Sequence, residues 1–212
     1  MSKSLTLSSI ALLLASAAPA FAASNVDLTV KGLITPSACT PGMSGNGIVD
    51  FGKISAKDLK LDSQTRLADK TLQLSVTCEA STLFALKPTD NRAGSSHNNF
   101  GTTYGLGLIN GSEKLGRYFM SFSNPVSDIP LTALNSSDNG ATWRELYDDD
   151  SVVPNQLFAF GTKGPDTLWY PEPLQSLTVE IALNTAIAPT NTLTLTNEVA
   201  MDGSATLEVI YL

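Results

Sequence analysis

The chain has 212 residues, 42% hydrophobic, 16% charged and 7% aromatic, proportions of an ordinary globular protein rather than a disordered, collagenous or membrane-spanning one. Thirteen Lys and Arg against 20 Asp and Glu leave a net charge of -7, so no basic face is available to neutralise a phosphate backbone, and nucleic acid is excluded as a partner. One histidine, two cysteines and no Cys-x-x-Cys withhold the usual material of zinc sites, haem attachment and redox motifs, which turns the reading toward structure or binding and away from catalysis.

Residues 1–22 read as an export address. Lys3 supplies the positive start, a short apolar run follows from Leu5, and Ala20-Phe21-Ala22 is an Ala-x-Ala cleavage site. Cleavage is expected after Ala22. The apolar run is shorter than the roughly 20 residues that span a bilayer, and no cysteine follows the cleavage point to take a lipid. The chain is therefore expected to be exported. In an oxidising compartment Cys39 and Cys78 are most simply a structural disulfide. Closing a loop of about 40 residues is worth about 4 kcal/mol in the chain-entropy account.

Past Ala22, period-two alternation dominates and no helical window carries both a start and a stop signal. In chain order, the predicted strands begin with Val26, Leu28, Val30, Gly32 and Ile34, whose opposite face carries Asp27, Thr29 and Lys31. They continue with 48–54, then Leu72, Leu74, Val76 and Cys78, then 83–86. After a polar gap come 104–109 and 118–122. The last two are Leu177, Val179, Ile181, Leu183 and Ala205, Leu207, Val209, Tyr211. Fifteen Gly and 11 Pro, mostly between these runs, supply turns. Many short strands at this spacing predict an all-β antiparallel sandwich or barrel. The stretch 123–175, richer in Pro, Asp and Asn, reads as an elaborated middle region.

Four places could carry chemistry. Ser136-Ser137-Asp138-Asn139-Gly140-Ala141-Thr142-Trp143 fits the Ser-x-Asp-x-Gly-x-Thr-Trp pattern of the Asp-box, a hairpin that recurs in sialidase-like propellers. It occurs once, whereas propellers need several blades. The expectation is a structural turn with Trp143 packed on it; the competing reading is a carbohydrate-contacting loop that draws on Trp143, Trp169 and Tyr170. Asp148-Asp149-Asp150 with Glu145 could offer oxygen ligands to calcium, but a solvated acidic loop is the commoner meaning of such a run. His97 lies in a polar loop with no triad around it. Tyr104-Gly105-Leu106-Gly107 is no phosphate loop, because no helix start follows. No catalytic residue, metal site or cofactor is assigned.

The two ends carry the functional reading. An alternating strand before Cys39 has nothing in front of it to pair with through a short hairpin, and an alternating strand with an aromatic at Tyr211 closes the chain. Val26-Asp27-Leu28-Thr29-Val30-Lys31-Gly32-Leu33-Ile34 ahead of Cys39, Val49-Asp50-Phe51-Gly52-Lys53-Ile54, the strand bearing Cys78 and the final strand with Tyr211 together resemble the pilin-type subunits of chaperone–usher, type 1-like fimbriae.

That resemblance implies an immunoglobulin-like sandwich lacking its last strand, with an apolar groove along its core. A periplasmic chaperone lends a strand during folding. In the fibre the N-terminal extension of the next subunit replaces it, a form of strand addition. It divides the chain into a leader (1–22), a donor extension (23–35) and a pilin-like domain (36–212). Val26, Leu28, Val30 and Ile34 become plugs, and Gly32 passes where the groove is shallow. Ala205, Leu207, Val209 and Tyr211 become a groove wall and chaperone-binding edge. The implied partners are neighbouring subunits, the chaperone and an outer-membrane usher, with no catalytic role. The rival is a monomeric exported carbohydrate-binding sandwich, in which the N-terminal strand would fold into its own domain.

Overall fold

In the computed structural model, residues 29–30, 38–98 and 100–212 are described. The leader and Val26, Leu28, Gly32 and Ile34 lie outside them. Fourteen strands follow in chain order: β1 (Cys39–Met43), β2 (Thr65–Arg66), β3 (Lys70–Thr82), β4 (Phe84–Asp90), β5 (Tyr104–Gly105), β6 (Leu108–Ile109), β7 (Glu113–Lys114), β8 (Gly116–Val126), β9 (Thr132–Ser136), β10 (Arg144–Glu145), β11 (Leu157–Lys163), β12 (Trp169–Pro171), β13 (Leu174–Ile187) and β14 (Ala205–Tyr211). The described residues contain no α-helix, only three short 3-10 turns.

Strand β3 shows why the sequence folds this way. Leu74, Val76 and Cys78 are buried while Gln73, Ser75 and Thr77 face water, because successive side chains of an extended chain leave opposite faces. The same alternation buries Leu177, Val179 and Ile181 on β13 and Tyr118, Met120 and Phe122 on β8. These strands build the first sheet, in the order β1-β3-β13-β8-β5, with β2 also paired to β13. The second sheet runs β10-β9-β11-β4-β14, with β12 paired to β11, and β6-β7 is a separate hairpin. Every strand pairing is antiparallel.

The sheets meet through one apolar core. Phe122 of the first sheet sets its ring edge-on to Phe158 of the second at 5.8 Å and lies 6.0 Å from Phe160. Leu74, Val76, Ile181 and Leu86 complete the centre. Each such side chain contributes roughly 1.5–3 kcal/mol by leaving water. The result is an all-β, immunoglobulin-like antiparallel sandwich. The elaborated middle, 123–175, supplies β9 to β12 and so more than half of the second sheet. Gly161 is required where β12 crosses β11, since a Cβ there would overlap the carbonyl of Tyr170.

Two predicted strands differ. Residues 48–54 alternate but form no strand: Gly52 takes φ +62°, and the bonds made by this stretch are local, Ile48 N to Gly45 O and Gly52 N to Asp50 Oδ1. Alternation sorts side chains between core and water but supplies no neighbouring edge to pair with. Residues 104–109 split into β5 and β6, because Gly107 at φ +88° turns the chain between them.

Cys39 and Cys78 are disulfide-bonded and directly opposite in the β1–β3 register. The staple thus ties the first residue of the edge strand to its neighbour.

Candidate functional site

The final strand leaves its backbone half-used. Asn91 N donates to Ser204 O, and Leu212 N to Leu83 O. These are register-equivalent positions of the β14–β4 ladder. In an antiparallel ladder the bonds to one neighbour fall on every second residue. Thr206, Glu208 and Ile210 therefore face β4, and the amides and carbonyls of Ala205, Leu207, Val209 and Tyr211 point away from it. β14 ends its sheet and pairs with no other strand among the described residues. The side chains of Ala205, Leu207 and Val209 fall on the core side, half-buried against the main core, while Tyr211 is exposed. One face of one strand thus presents both unspent hydrogen-bonding groups and apolar surface.

Beside this edge lies a cleft of about 930 Å³. Ala205 and Leu207 form one wall, Met43 belongs to the opposite side, and Leu72, Leu106, Leu115, Tyr118, Met120, Ile181 and Leu183 form the floor. Tyr118 stacks on Tyr104 at 5.1 Å, and burial raises both phenols above the usual tyrosine range. Neither ionises at any working pH, so the floor stays uncharged.

β14 is fastened at both ends while its middle stays open. At the start, Arg92 grips Asp202 through two bonds, Nη2 to Oδ1 at 2.7 Å and Nε to Oδ2 at 2.9 Å. The guanidinium holds the Asp202 carboxyl below the usual carboxylate range. Asn91 Nδ2 lies 3.0 Å from both Ser204 Oγ and Thr206 Oγ1. At the far end the amide of Cys39 donates to the Tyr211 hydroxyl at 3.0 Å. A bond between the disulfide-bearing strand and the final strand therefore closes that end of the sandwich.

Two irregular stretches also line the cleft: 47–56, most of which the sequence reads as a strand, and 195–201, which the strand reading leaves out. The second carries Leu195, Val199 and Met201 half-buried against the core, on one period-two face that the exposed Asn197 interrupts. Lys53 and Glu198 approach to 3.6 Å, with both side chains largely in water.

The other predicted residues lie elsewhere. Val30 is exposed and outside any strand. The Asp-box is the turn between β9 and β10. Asp138 Oδ1 accepts from Ser136 Oγ and Thr142 N, and Oδ2 from Thr142 Oγ1, while Gly140 N donates to Ser136 Oγ. These bonds, that from the Thr142 hydroxyl first, lower the Asp138 carboxyl to about 2. Asn139 and Gly140 take the positive φ values the turn demands. Trp143 folds onto a small cluster of Ala85, Leu157 and Ala159.

The three aromatics do not form one platform. Trp143 packs at Leu157, whereas Trp169 pairs with Lys163, six residues along β11 and thus about 20 Å away. Lys163 lies over the Trp169 ring, and the Tyr170 hydroxyl donates to Asp166 Oδ2. In the acidic loop Asp150 closes a local turn on Tyr147 and faces Arg144 at 3.7 Å. Among the described residues no three His, Cys, Asp or Glu side chains gather as a metal site. His97 is half-buried, and burial, followed by Arg117 and Lys114, lowers its pKa.

An incomplete immunoglobulin-like sandwich with an open strand edge over an apolar cleft is therefore what the described residues form. Residues 28–119 match a family described as Protein of unknown function (DUF1120). The chain is 26% identical over 227 residues to the Uncharacterized protein YhcF of Escherichia coli (strain K12), covering 90% of this chain and 92% of that one. A 72-residue stretch is 42% identical to Protein GltF of the same organism, covering 32% of this chain and 28% of GltF. No helix among the described residues is long and apolar enough to cross a membrane.

Proposed function

We propose that the chain is an exported, non-enzymatic structural subunit of a surface fimbria, assembled by strand exchange and contributing to adhesion. The extension around residues 24–34 of one copy enters the cleft of the next and pairs with β14. The observation that carries this reading is the coincidence on β14 of an unpaired edge at Ala205, Leu207, Val209 and Tyr211 with the apolar cleft beside it. Exposed, apolar strand edges invite pairing, and proteins that do not use them blunt them. An incoming alternating strand would place Val26, Leu28, Val30 and Ile34 against the floor, with Asp27, Thr29 and Lys31 toward water. Four buried aliphatic side chains give about 6–12 kcal/mol gross, to which ladder bonds add. A periplasmic chaperone would cover the same edge before assembly, and an outer-membrane usher would mediate exchange. The disulfide fits an oxidising compartment.

The test is assembly in a host that supplies a chaperone and an usher. Unheated denaturing gels should show a ladder that collapses on boiling. Val30→Asp should abolish the ladder yet leave chaperone-bound monomer, because the charge would be buried without a partner. A ladder unchanged by Val30→Asp rules out the donor segment. A lone monomer under assembly-competent conditions rules out polymerisation and favours the carbohydrate-binding module.

A further inference from the structure

We propose that Lys53 and Glu198 form a latch across the mouth of the cleft, coupling two irregular arms that must part before a strand can enter. This rests on the reading of the cleft as a strand acceptor. The first arm, 48–55, and the second, 195–201, both line the cleft. Each turns apolar groups inward, Phe51 on one and Val199 and Met201 on the other, all half-buried.

Neither arm is fixed along its middle by backbone pairing. Between Val49 and Ile54, and between Leu195 and Ala200, no backbone group bonds the backbone of another described segment. The fixed points lie outside these spans. Lys60 O and Leu61 O accept from Thr190 N and Asn191 N. Thr194 is held by Glu113, and Asp202 N donates to Leu106 O. Each arm is thus a short bridge between anchored ends, held along its middle by side-chain contacts such as Lys70 Nζ over the Phe51 ring rather than by a backbone ladder.

Among the described residues, the ion pair that joins one bridge to the other is Lys53 to Glu198, at 3.6 Å. Both residues line the cleft while their side chains are 90% and 83% exposed, which puts the contact at its rim. So exposed a pair is weak and salt-screened. That suits a latch: it keeps the arms over the apolar floor in the empty subunit and yields to an entering strand at little cost.

The experiment uses the full chain with Lys53→Glu, with Glu198→Lys, and with both. Thermolysin, which cuts before apolar residues, reports the lifting of each arm, and unchanged melting confirms folding. Each single reversal should raise cutting of both arms, the unaltered one included, by about two- to five-fold, and the double swap should restore the parent rate. A labelled peptide of residues 24–34 should enter the single variants faster by a similar factor. About 1 M salt, which screens attraction and repulsion alike, should bring all four proteins to one rate.

Cutting that changes only in the altered arm, or a double swap that stays fast, overturns the latch. A peptide entering all four proteins at one rate without the added salt overturns its control of entry. A peptide bound by none overturns the strand-acceptor reading instead, and the cutting pattern then decides the latch alone.

Discussion

The second sheet has two margins treated in opposite ways. At one, β10 is two residues long, its turn is filled by four hydrogen bonds around Asp138 and Ser136, and Trp143 is folded down on the outer face. At the other, β14 is seven residues long and leaves every second amide and carbonyl unspent, with Ala205 and Leu207 lining a cleft floored with aliphatic and aromatic groups. Shortening and capping are how sandwiches keep their margins from sticking. A protein that finishes one margin and leaves the other unfinished has concentrated its capacity for association in one place.

That contrast can be broken or sharpened experimentally. The largest expected effect lies outside both margins, in the first sheet: replacing Cys39 and Cys78 by Ser should cost about 2–5 kcal/mol in denaturant unfolding. It should also loosen the end of the sandwich that the bond from Cys39 to Tyr211 closes. Next, Trp143→Ala should destabilise the isolated chain by about 2 kcal/mol, less than a fully buried aromatic because the ring is half-exposed. Leu207→Ala should cost the isolated chain under about 1 kcal/mol, but about 2 kcal/mol or more once a strand is bound and its side chain is enclosed. If Leu207→Ala and Trp143→Ala cost the unliganded chain the same, the margins do not differ as described.

The smallest effect is one of pH. The Asp138 carboxyl titrates near 2 in the fold and near 3.9 when unfolded. Its contribution is therefore complete above about pH 4 and is lost as pH falls toward 2. Trp143 fluorescence should report loosening of the turn in that window, and Asp138→Asn should remove the pH dependence.

The sandwich was legible wherever strands are long. β3, β13 and β14 each carry four or more alternating apolar positions, and Cys39 and Cys78 belonged to a single obvious pair. The Asp-box turn was legible because its geometry is set locally by Ser136, Asp138 and Gly140. The middle of the second sheet was not, because β10 and β12 are two and three residues long and are held by crossings such as Gly161 under Tyr170. The arms escaped for opposite reasons. Residues 48–54 alternate like a strand but have no edge to join, while the period-two face of Leu195, Val199 and Met201 is broken by the polar Asn197. Pairing is a property of two segments, and a single stretch of sequence shows only one.

The position of the disulfide has a mechanical consequence. Tension arriving along the backbone before Cys39 meets a covalent bond at the first residue of β1 and passes directly into β3. That strand is thirteen residues long and is flanked by β1 and β13. Pulling therefore loads many rungs together in shear rather than unzipping an edge one rung at a time, and β1 cannot be peeled away while the sulfurs stay joined.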